Sequence, residues 1–252
     1  MFRFFLKSTI EDPQNIIIAD KEAVKKIIKV LRMQIGDVFV IFDNTGEEYE
    51  VRIQEIKGKH VLCSLVSRLD IDRELPVDIN LYQSLLKKDK LEWLCQKVTE
   101  IGVRRIIPVI SENCVIKELN PNKDNRYKKI IEEATIQSGG KIPPKFESAI
   151  RFENAIKNLH PRDLNLICHE PRTRTSSVLG EQEKENSLLD ILQRNSGRTI
   201  NLFIGPEGGF SPFEIDLALQ HSLIPVSLGK RILRAETAAI VTCGAIAQLF
   251  VD

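Results

Sequence analysis

Two loops near the C-terminal end of the sequence contain the residue types best suited to binding a polar ligand. The first loop, residues 205–209, reads Gly-Pro-Glu-Gly-Gly and follows the apolar residues 202–204. Glycine lets the backbone approach a ligand closely, and a helix N-terminus offers unpaired N–H groups with a partial positive charge. Residues 211–214, Ser-Pro-Phe-Glu, predict such a helix start, with Ser211 as N-cap and Glu214 completing a capping box. We therefore expect a cofactor here, and the alternative is a glycine-rich turn without a ligand.

The second loop, residues 228–234, places three cations before a helix of small apolar residues. Lys230, Arg231 and Arg234 oppose the partial positive charge at the start of that helix. An anion such as phosphate would remove this conflict, whereas a solvated surface loop is the alternative. The small residues that follow Glu236 and Thr237 predict close packing against another helix, within the chain or across a dimer.

Sequence patterns disfavour several common cofactor and metal sites. No Walker motif is present, because no Gly-Lys-Ser or Gly-Lys-Thr follows the first loop, and that loop is not a G-x-G-x-x-G fingerprint. No cysteine pair has metal-ligand spacing, so no metal is expected. His169-Glu170 is a weaker ligand candidate, and His160 and His221 are assigned to the surface.

The cysteines are odd in number and scattered in mostly apolar segments, which predicts buried, reduced thiols: Cys63, Cys95, Cys114, Cys168 and Cys243.

Composition predicts an ordinary globular protein, since 36 basic residues balance 35 acidic ones among 252. No apolar run approaches the ~20 residues of a membrane helix and no signal peptide is apparent, so a cytoplasmic location is expected. Local basic clusters nevertheless occur, and together they are candidates for a discontinuous phosphate-binding track, with solvated surfaces as the alternative. The cationic residues concerned are Arg3, Lys25, Lys26, Arg32, Lys87, Lys88, Lys90, Arg104, Arg105, Arg126, Lys128 and Lys129.

Residues 1–68 read as a small β-barrel or curled sheet around one helix. Asp20 is the predicted N-cap of a helix over residues 21–31, which has one apolar face. Strands are predicted over residues 38–42, 49–56 and 61–66, separated by short glycine-containing turns. A unit of this size is near the lower limit for independent folding, so we expect an appended module.

From residue 77 onward, strands and helices alternate, which predicts an α/β fold with a parallel sheet. Strands are expected over residues 77–81, 106–110 and 164–168, and a helix over 89–101 is expected to end at Gly102. A further helix is predicted to open at Asn122 and to stop at the glycines and prolines of residues 139–144. The polar run 171–186 is predicted to be a surface loop.

Residues 202–211 together with residues 228–238 closely resemble the paired signatures of the 16S ribosomal RNA uridine-N3 methyltransferase family, in the SPOUT superfamily. The resemblance extends over most of the chain. Residues 30–33, Val-Leu-Arg-Met, with Gly36-Asp37, resemble the family's N-terminal PUA-like RNA-binding module. Residues 96–103 resemble the first helix of its catalytic domain.

This resemblance implies a fold and a set of site residues. Residues 1–70 would form a PUA-like β-barrel that binds RNA, residues 71–76 a linker, and residues 77–252 a SPOUT methyltransferase domain with a C-terminal α/β trefoil knot. The implied partners are 16S rRNA or the small ribosomal subunit and a second copy of the chain. The implied cofactor, S-adenosylmethionine, would be bound by Ile204, Gly205, Glu207, Gly208, Gly209, Leu228, Gly229, Ile232, Leu233 and Ala238. Arg234, Glu236 and Thr237 would lie near the methyl group and the target base, and RNA would be bound by Arg3, Lys25, Arg32, Lys87 and Lys88.

One segment departs from the family pattern. Where the family commonly has Glu-Gln-Ser-Gly-Arg, residues 136–141 read Ile-Gln-Ser-Gly-Gly-Lys. The glutamate and the arginine are therefore missing from their usual places, and Lys141 stands one position after the expected arginine. The role of Gln137 in this loop is left open.

The implied chemistry needs a positioned methyl donor and removal of the proton on uridine N3. Arg234 could stabilise the uridine anion, and Glu236 or solvent could receive the proton. The nearest rival function is a SPOUT enzyme that methylates another RNA position, such as a ribose 2′-hydroxyl. A second rival is a non-catalytic RNA-binding or assembly factor. A third is a nucleotide-phosphate enzyme, which is disfavoured because the sequence lacks a phosphate-loop lysine.

Overall fold

A computed structural model describes residues 1–120, 123–169, 187–194 and 199–250. The described residues divide into two compact units. The N-terminal unit comprises Met1–Glu74 with Glu132–Pro143, and the C-terminal unit comprises Leu75–Ile131 with Pro144–Asp252. The predicted loop over residues 171–186 and the predicted helix cap at Asn122 lie outside the described residues.

The N-terminal unit is built on a five-stranded sheet with the order β1-β3-β4-β5-β2. Strand β1 is parallel to β3 and the other pairs are antiparallel. Its side chains enclose a core that includes Phe39, Ile41, Val51 and Ile53, so the expectation of a curled sheet is confirmed. The strands are β1 (Arg3–Phe5), β2 (Ile16–Ile18), β3 (Val38–Phe42), β4 (Glu48–Lys57) and β5 (His60–Leu69).

The predicted helix of this unit is present. It begins with a side-chain cap and ends in a wider, π-helical turn. Asp20 accepts a hydrogen bond from the N–H of Ala23 at 2.8 Å and begins α1 (Lys21–Lys25). The helix continues as a π-helical turn over Lys26–Val30, which buries Ile27. Arg32 then adopts a left-handed backbone conformation with φ of 52°.

The C-terminal unit contains a parallel sheet with the order β12-β10-β11-β6-β7-β8, and β9 also pairs with β7. The predicted α/β organisation is therefore confirmed. The strands are β6 (Asp78–Ser84), β7 (Arg105–Ile110), β8 (Lys145–Phe146), β9 (Ile150–Arg151), β10 (Leu164–Cys168), β11 (Thr199–Ile204) and β12 (Ile224–Val226). The helices that follow along the chain are α2 (Lys90–Ile101), α3 (Asp124–Ser138), α4 (Phe152–Lys157), α5 (Leu188–Arg194), α6 (Pro212–Gln220) and α7 (Ala235–Leu249). The part of α3 from Glu132 onward belongs to the N-terminal unit.

Apolar side chains cover both faces of this sheet, as a parallel sheet requires. On one face α2 and α7 contact each other and share a core with Leu81, Ile106 and Leu202. On the other face α4 and α6 pack over Phe203 and Ile107. None of the described helices is both long enough and apolar enough to span a membrane.

Candidate functional site

The glycine-rich loop, residues 205–209, leaves the carboxyl end of β11, where open parallel sheets commonly bind ligands. Its tight shape is fixed by a hydrogen bond from Gly209 N–H to the Pro206 carbonyl at 2.8 Å, with Gly209 at φ of 71°. A Cβ on Gly208 would come within 3.0 Å of the Asn113 Cβ, so a larger residue would force Asn113 to move. The loop therefore needs glycine for its own packing as well as for any ligand.

The predicted helix start after this loop is confirmed as a complete capping box. Ser211 Oγ accepts a hydrogen bond from the N–H of Glu214 at 3.2 Å, and Glu214 Oε2 accepts one from the N–H of Ser211 at 2.9 Å. The other carboxyl oxygen of Glu214 accepts a hydrogen bond from the N–H of Glu112 at 2.8 Å. Burial raises the pKa of Glu214 above its ordinary value, although these hydrogen bonds oppose the change. Glu214 is thus a structural carboxylate that fixes α6 beneath the loop.

The second loop, residues 228–234, lies between β12 and α7. Gly229 has φ of 113°, a conformation that L-residues rarely adopt. Arg234 is the N-cap residue of α7 with an extended backbone, and its side chain makes no capping hydrogen bond. Ile232 is 85 % exposed. Lys230, Arg231 and Arg234 form no ion pair with any described residue, so their charges are available to a ligand.

Lys90, which the sequence placed only in a basic cluster, forms ion pairs with Glu207 of the first loop and with Glu236 at the start of α7. Lys90 Nζ lies 3.1 Å from Oε1 of Glu207 and 3.4 Å from Oε1 of Glu236. Its hydrogen bond to Glu207, opposed by desolvation, raises the pKa of Lys90. Partial burial opposes ionisation of Glu207, but hydrogen bonds from its own backbone and from Lys90 lower the pKa of that carboxyl. All three residues belong to the C-terminal unit.

Glu236 is the most enclosed acid of this group. Only 11 % of its side chain is exposed, and its Oε2 is buried without a hydrogen-bond partner among the described residues. It is the second residue of α7, where the helix dipole favours a negative charge. The structure thus places Glu207 and Glu236, predicted separately for the cofactor and for chemistry, around one ammonium group.

Two further polar residues of this region were not singled out from the sequence. Gln83 and Ser84 are fully buried at the carboxyl end of β6. Gln83 Oε1 and Ser84 Oγ have no hydrogen-bond partner among the described residues. The predicted strand stopped at residue 81 because the pattern was apolar up to that point. A polar Gln-Ser pair between Tyr82 and the buried residues 85–86 is the signal that could have identified them.

Four of the five predicted RNA-binding cations are exposed, and the fifth forms an ion pair within the protein. Lys25 and Arg32 in the N-terminal unit and Lys87 and Lys88 in the C-terminal unit are exposed. Arg3 has only 13 % of its side chain exposed and pairs with the buried carboxylate of Glu48. RNA binding by all five stays a prediction.

The segment that departs from the family pattern is fixed through its backbone, within the N-terminal unit. Arg3 donates hydrogen bonds to the carbonyls of Ile136 and Gly140, and Arg73 donates one to the carbonyl of Gly139. Glu74 accepts a 2.6 Å hydrogen bond from the N–H of Lys141. Because backbone groups make these contacts, they do not depend on the missing glutamate and arginine side chains.

No cluster of three or more potential metal ligands occurs among the described residues. A cavity of about 810 Å³ lies at the amino ends of β10 and β12, lined among others by Asp163, Asn165 and His221. It is at the opposite end of the strands from the two loops.

Two family models match the chain. An RNA methyltransferase domain matches residues 73–247, and an RNA methyltransferase PUA domain matches residues 20–66. The Ribosomal RNA small subunit methyltransferase E of Bacillus subtilis is 30 % identical, over 98 % of this chain and 96 % of its own. The protein of the same name from Rickettsia conorii is 32 % identical, over 98 % and 94 %.

A solved structure extends this similarity to three dimensions. The Ribosomal RNA small subunit methyltransferase E of Neisseria gonorrhoeae, bound to S-adenosyl methionine, has a TM-score of 0.85 and 28 % identity over 99 % of this chain and 98 % of its own. The predicted fold class is thereby confirmed as a SPOUT-type α/β domain with a parallel sheet and a C-terminal trefoil knot, preceded along the chain by a small PUA-like β domain. The chain therefore belongs to the family of 16S ribosomal RNA uridine-N3 methyltransferases of the small subunit methyltransferase E type.

Proposed function

We propose that this protein transfers the methyl group of S-adenosylmethionine to N3 of a specific uridine in the 16S rRNA of the small ribosomal subunit. The observation that carries the proposal is the position of the two signature loops. They leave the carboxyl ends of β11 and β12, which flank β10 in the parallel sheet. Both loops therefore meet at one edge of the sheet, where a single cofactor can contact them.

The charges at this edge fit the cofactor. Lys90 together with Glu207 and Glu236 carries one net negative charge, and an oxygen of Glu236 lacks a partner among the described residues. S-adenosylmethionine carries positive charge on its sulfonium and amino groups, and when bound it supplies an activated methyl electrophile. The residues that would hold it, largely through backbone groups, are Ile204, Gly205, Glu207, Gly208, Gly209, Leu228, Gly229, Ile232, Leu233 and Ala238.

The residues at the start of α7 provide for the proton and the developing charge. Arg234 is exposed and has no ion-pair partner among the described residues, so its guanidinium can stabilise the anion that forms on the uracil ring. Glu236 is the proposed acceptor of the N3 proton, with solvent as the alternative. Thr237 lies beside them in the first turn of α7. A target base inside a helix would have to leave its stack to reach these groups.

Each part of the chain has a proposed role. Residues 1–70 are proposed to bind RNA and residues 77–252 to catalyse methyl transfer. Residues 71–76 are the proposed linker between these two domains. A second copy of the chain is proposed to complete the site, because α7 carries a stripe of partly exposed small or apolar residues at helical spacing: Thr237, Val241, Gly244 and Ala245. The protein is proposed to act in the cytoplasm, where the small subunit is assembled.

The decisive experiment is methyl transfer from labelled S-adenosylmethionine to small ribosomal subunits that lack the modification. The digested nucleosides are then identified by mass spectrometry. N3-methyluridine at a single position is the expected product. A 2′-O-methyl nucleoside would refute the N3 assignment, and loss of measurable S-adenosylmethionine binding would favour a non-catalytic assembly factor.

A further inference from the structure

Lys90 occupies a position that local rules disfavour. It is the first residue of α2, where a cation opposes the helix dipole. Two carboxylates compensate for this, one from each signature loop region, at 3.1 Å (Glu207) and 3.4 Å (Glu236). Lys90 is the only cation within ion-pair distance of Glu236 among the described residues.

The two carboxyl oxygens of Glu236 are in different environments. Oε1 faces the ammonium of Lys90, whereas Oε2 is buried and unpartnered among the described residues. Burying a carboxylate costs free energy unless a cation or hydrogen bonds compensate, and Lys90 supplies the cation for Glu236. The salt bridge to Lys90 fixes the orientation of the Glu236 carboxylate.

We propose that Lys90 is a positioning residue that orients Glu236 so that its carboxylate accepts the N3 proton of the target uridine. This inference rests on the proposed N3 methylation. In the step, the N3–H bond breaks and the proton passes to the Glu236 carboxylate. The nitrogen electron pair forms the bond to the methyl carbon, and the electrons of the breaking carbon–sulfur bond stay on sulfur as a neutral thioether. Lys90 exchanges no proton and does not touch the base.

The test compares single-turnover methylation at saturating cofactor for Lys90→Met and Lys90→Gln with that for Lys90→Arg. The uncharged variants are expected to lose about 10- to 100-fold in rate, at or below the lower end of the contribution of general-base catalysis, because Glu236 itself remains. Arginine keeps the charge and is expected to restore most of the rate. The matched control is Lys97→Met, because Lys97 lies on the same helix, has the same 33 % side-chain exposure and pairs only with Glu100 among the described residues. Its rate should equal that of the unchanged protein.

A double-mutant cycle separates positioning from a purely structural role. If Lys90 acts through Glu236, then Lys90→Met added to Glu236→Gln should change the rate by less than about twofold, because coupled residues are not additive. The inference would be overturned if the rate losses of Lys90→Met and Glu236→Gln multiplied in the double variant. Full activity of Lys90→Met, or no rescue by Lys90→Arg, would also overturn it. A loss confined to cofactor affinity, with the saturated rate intact, would also overturn it and assign Lys90 to cofactor binding through Glu207.

The outcome is distinguishable from failure of the proposed function. Absence of N3-methyluridine with the unchanged protein refutes the reaction itself. An active unchanged protein with an equally active Lys90→Met variant refutes only the role of Lys90. Thermal unfolding of each variant checks that the fold is retained, and the partial exposure of Lys90 predicts only a small change.

Discussion

Glu48 Oε2 accepts a hydrogen bond from Nη1 of Arg73 at 2.8 Å, and the other oxygen of Glu48 pairs with Arg3. The carboxylate of Glu48 is completely buried. The same two arginines bind carbonyl oxygens of the segment that departs from the family pattern. Glu48 therefore orients both arginines toward that segment, and backbone acceptors explain how its side chains can vary.

Replacing Glu48 tests this arrangement. Glu48→Ala leaves two guanidinium groups without their carboxylate, so the free energy of unfolding should fall by about 3–5 kcal/mol, as when one partner of a buried ion pair is removed. Urea denaturation measures the change. Glu47→Ala is the control, because Glu47 pairs with Arg68 at the surface and such a pair contributes at most about 1 kcal/mol. Equal effects of the two substitutions would contradict the structural role.

Arg234→Ala should reduce turnover without abolishing cofactor binding. Removing a cation from the developing uridine anion is expected to lower kcat by about 10²- to 10³-fold, as for other groups that stabilise transition-state charge. The affinity for S-adenosylmethionine, measured by calorimetry, should change only slightly, because the Arg234 side chain is exposed and forms no capping hydrogen bond. Full turnover with normal binding would remove Arg234 from the mechanism.

The sequence predicted the large elements because their signals are local. A helix ending at Gly102 is observed with Gly102 at φ of 100°, and the strand at residues 164–168 has the predicted bounds. The two-residue strands β8 and β9 and the π-helical turn were not predicted. Such short elements depend on pairing and packing with neighbours, and their own residues carry too little pattern to reveal them.

The site shows the same division. The glycines and the capping box were identified from spacing alone, because their requirements are local. Lys90 was assigned only to the basic clusters of the candidate phosphate-binding track, since its partners Glu207 and Glu236 lie far along the chain. The fold of the parallel sheet brings the carboxyl end of β11 and the amino end of α2 to the same edge. The contact between Glu207 and Lys90 is therefore visible only in the structure.

The stripe on α7 predicts the proposed homodimer. Val241 is 49 % exposed, and a Cβ on Gly244 would meet no atom of the described chain within 4 Å. Val241→Lys should therefore leave the monomer folded but shift the protein toward monomer in analytical ultracentrifugation, because a charge in the interface would be desolvated. Leu219→Lys is the control on α6, where Leu219 is 45 % exposed. Unchanged dimer in the α7 variant would place the interface elsewhere.

The cysteines are expected to be inert in the folded protein. Burial raises the pKa of Cys63 to about 12 and that of Cys95 to about 12, and it also raises the pKa of Cys243. The thiolate is the reactive form, so these thiols should not react with a thiol reagent at pH 8 until the protein unfolds. Cys168 is the least buried of the five and should react first. Rapid labelling of several thiols in the native state would contradict this burial.

RNA affinity should depend steeply on salt despite the near-neutral composition. The formal net charge is only +1, so attraction to phosphate has to come from local clusters such as Lys25 and Arg32, both exposed. Each phosphate contact releases counterions, and removing one should reduce the slope of log affinity against log salt by about 0.7–0.9. We expect this change for Lys25→Gln and for Arg32→Gln, measured by fluorescence anisotropy with 16S rRNA fragments. Lys57→Gln is the control, because Lys57 is exposed but paired with Glu55. A flat salt dependence of the unchanged protein would refute the cationic track, and an unchanged slope in one variant would remove that residue from it.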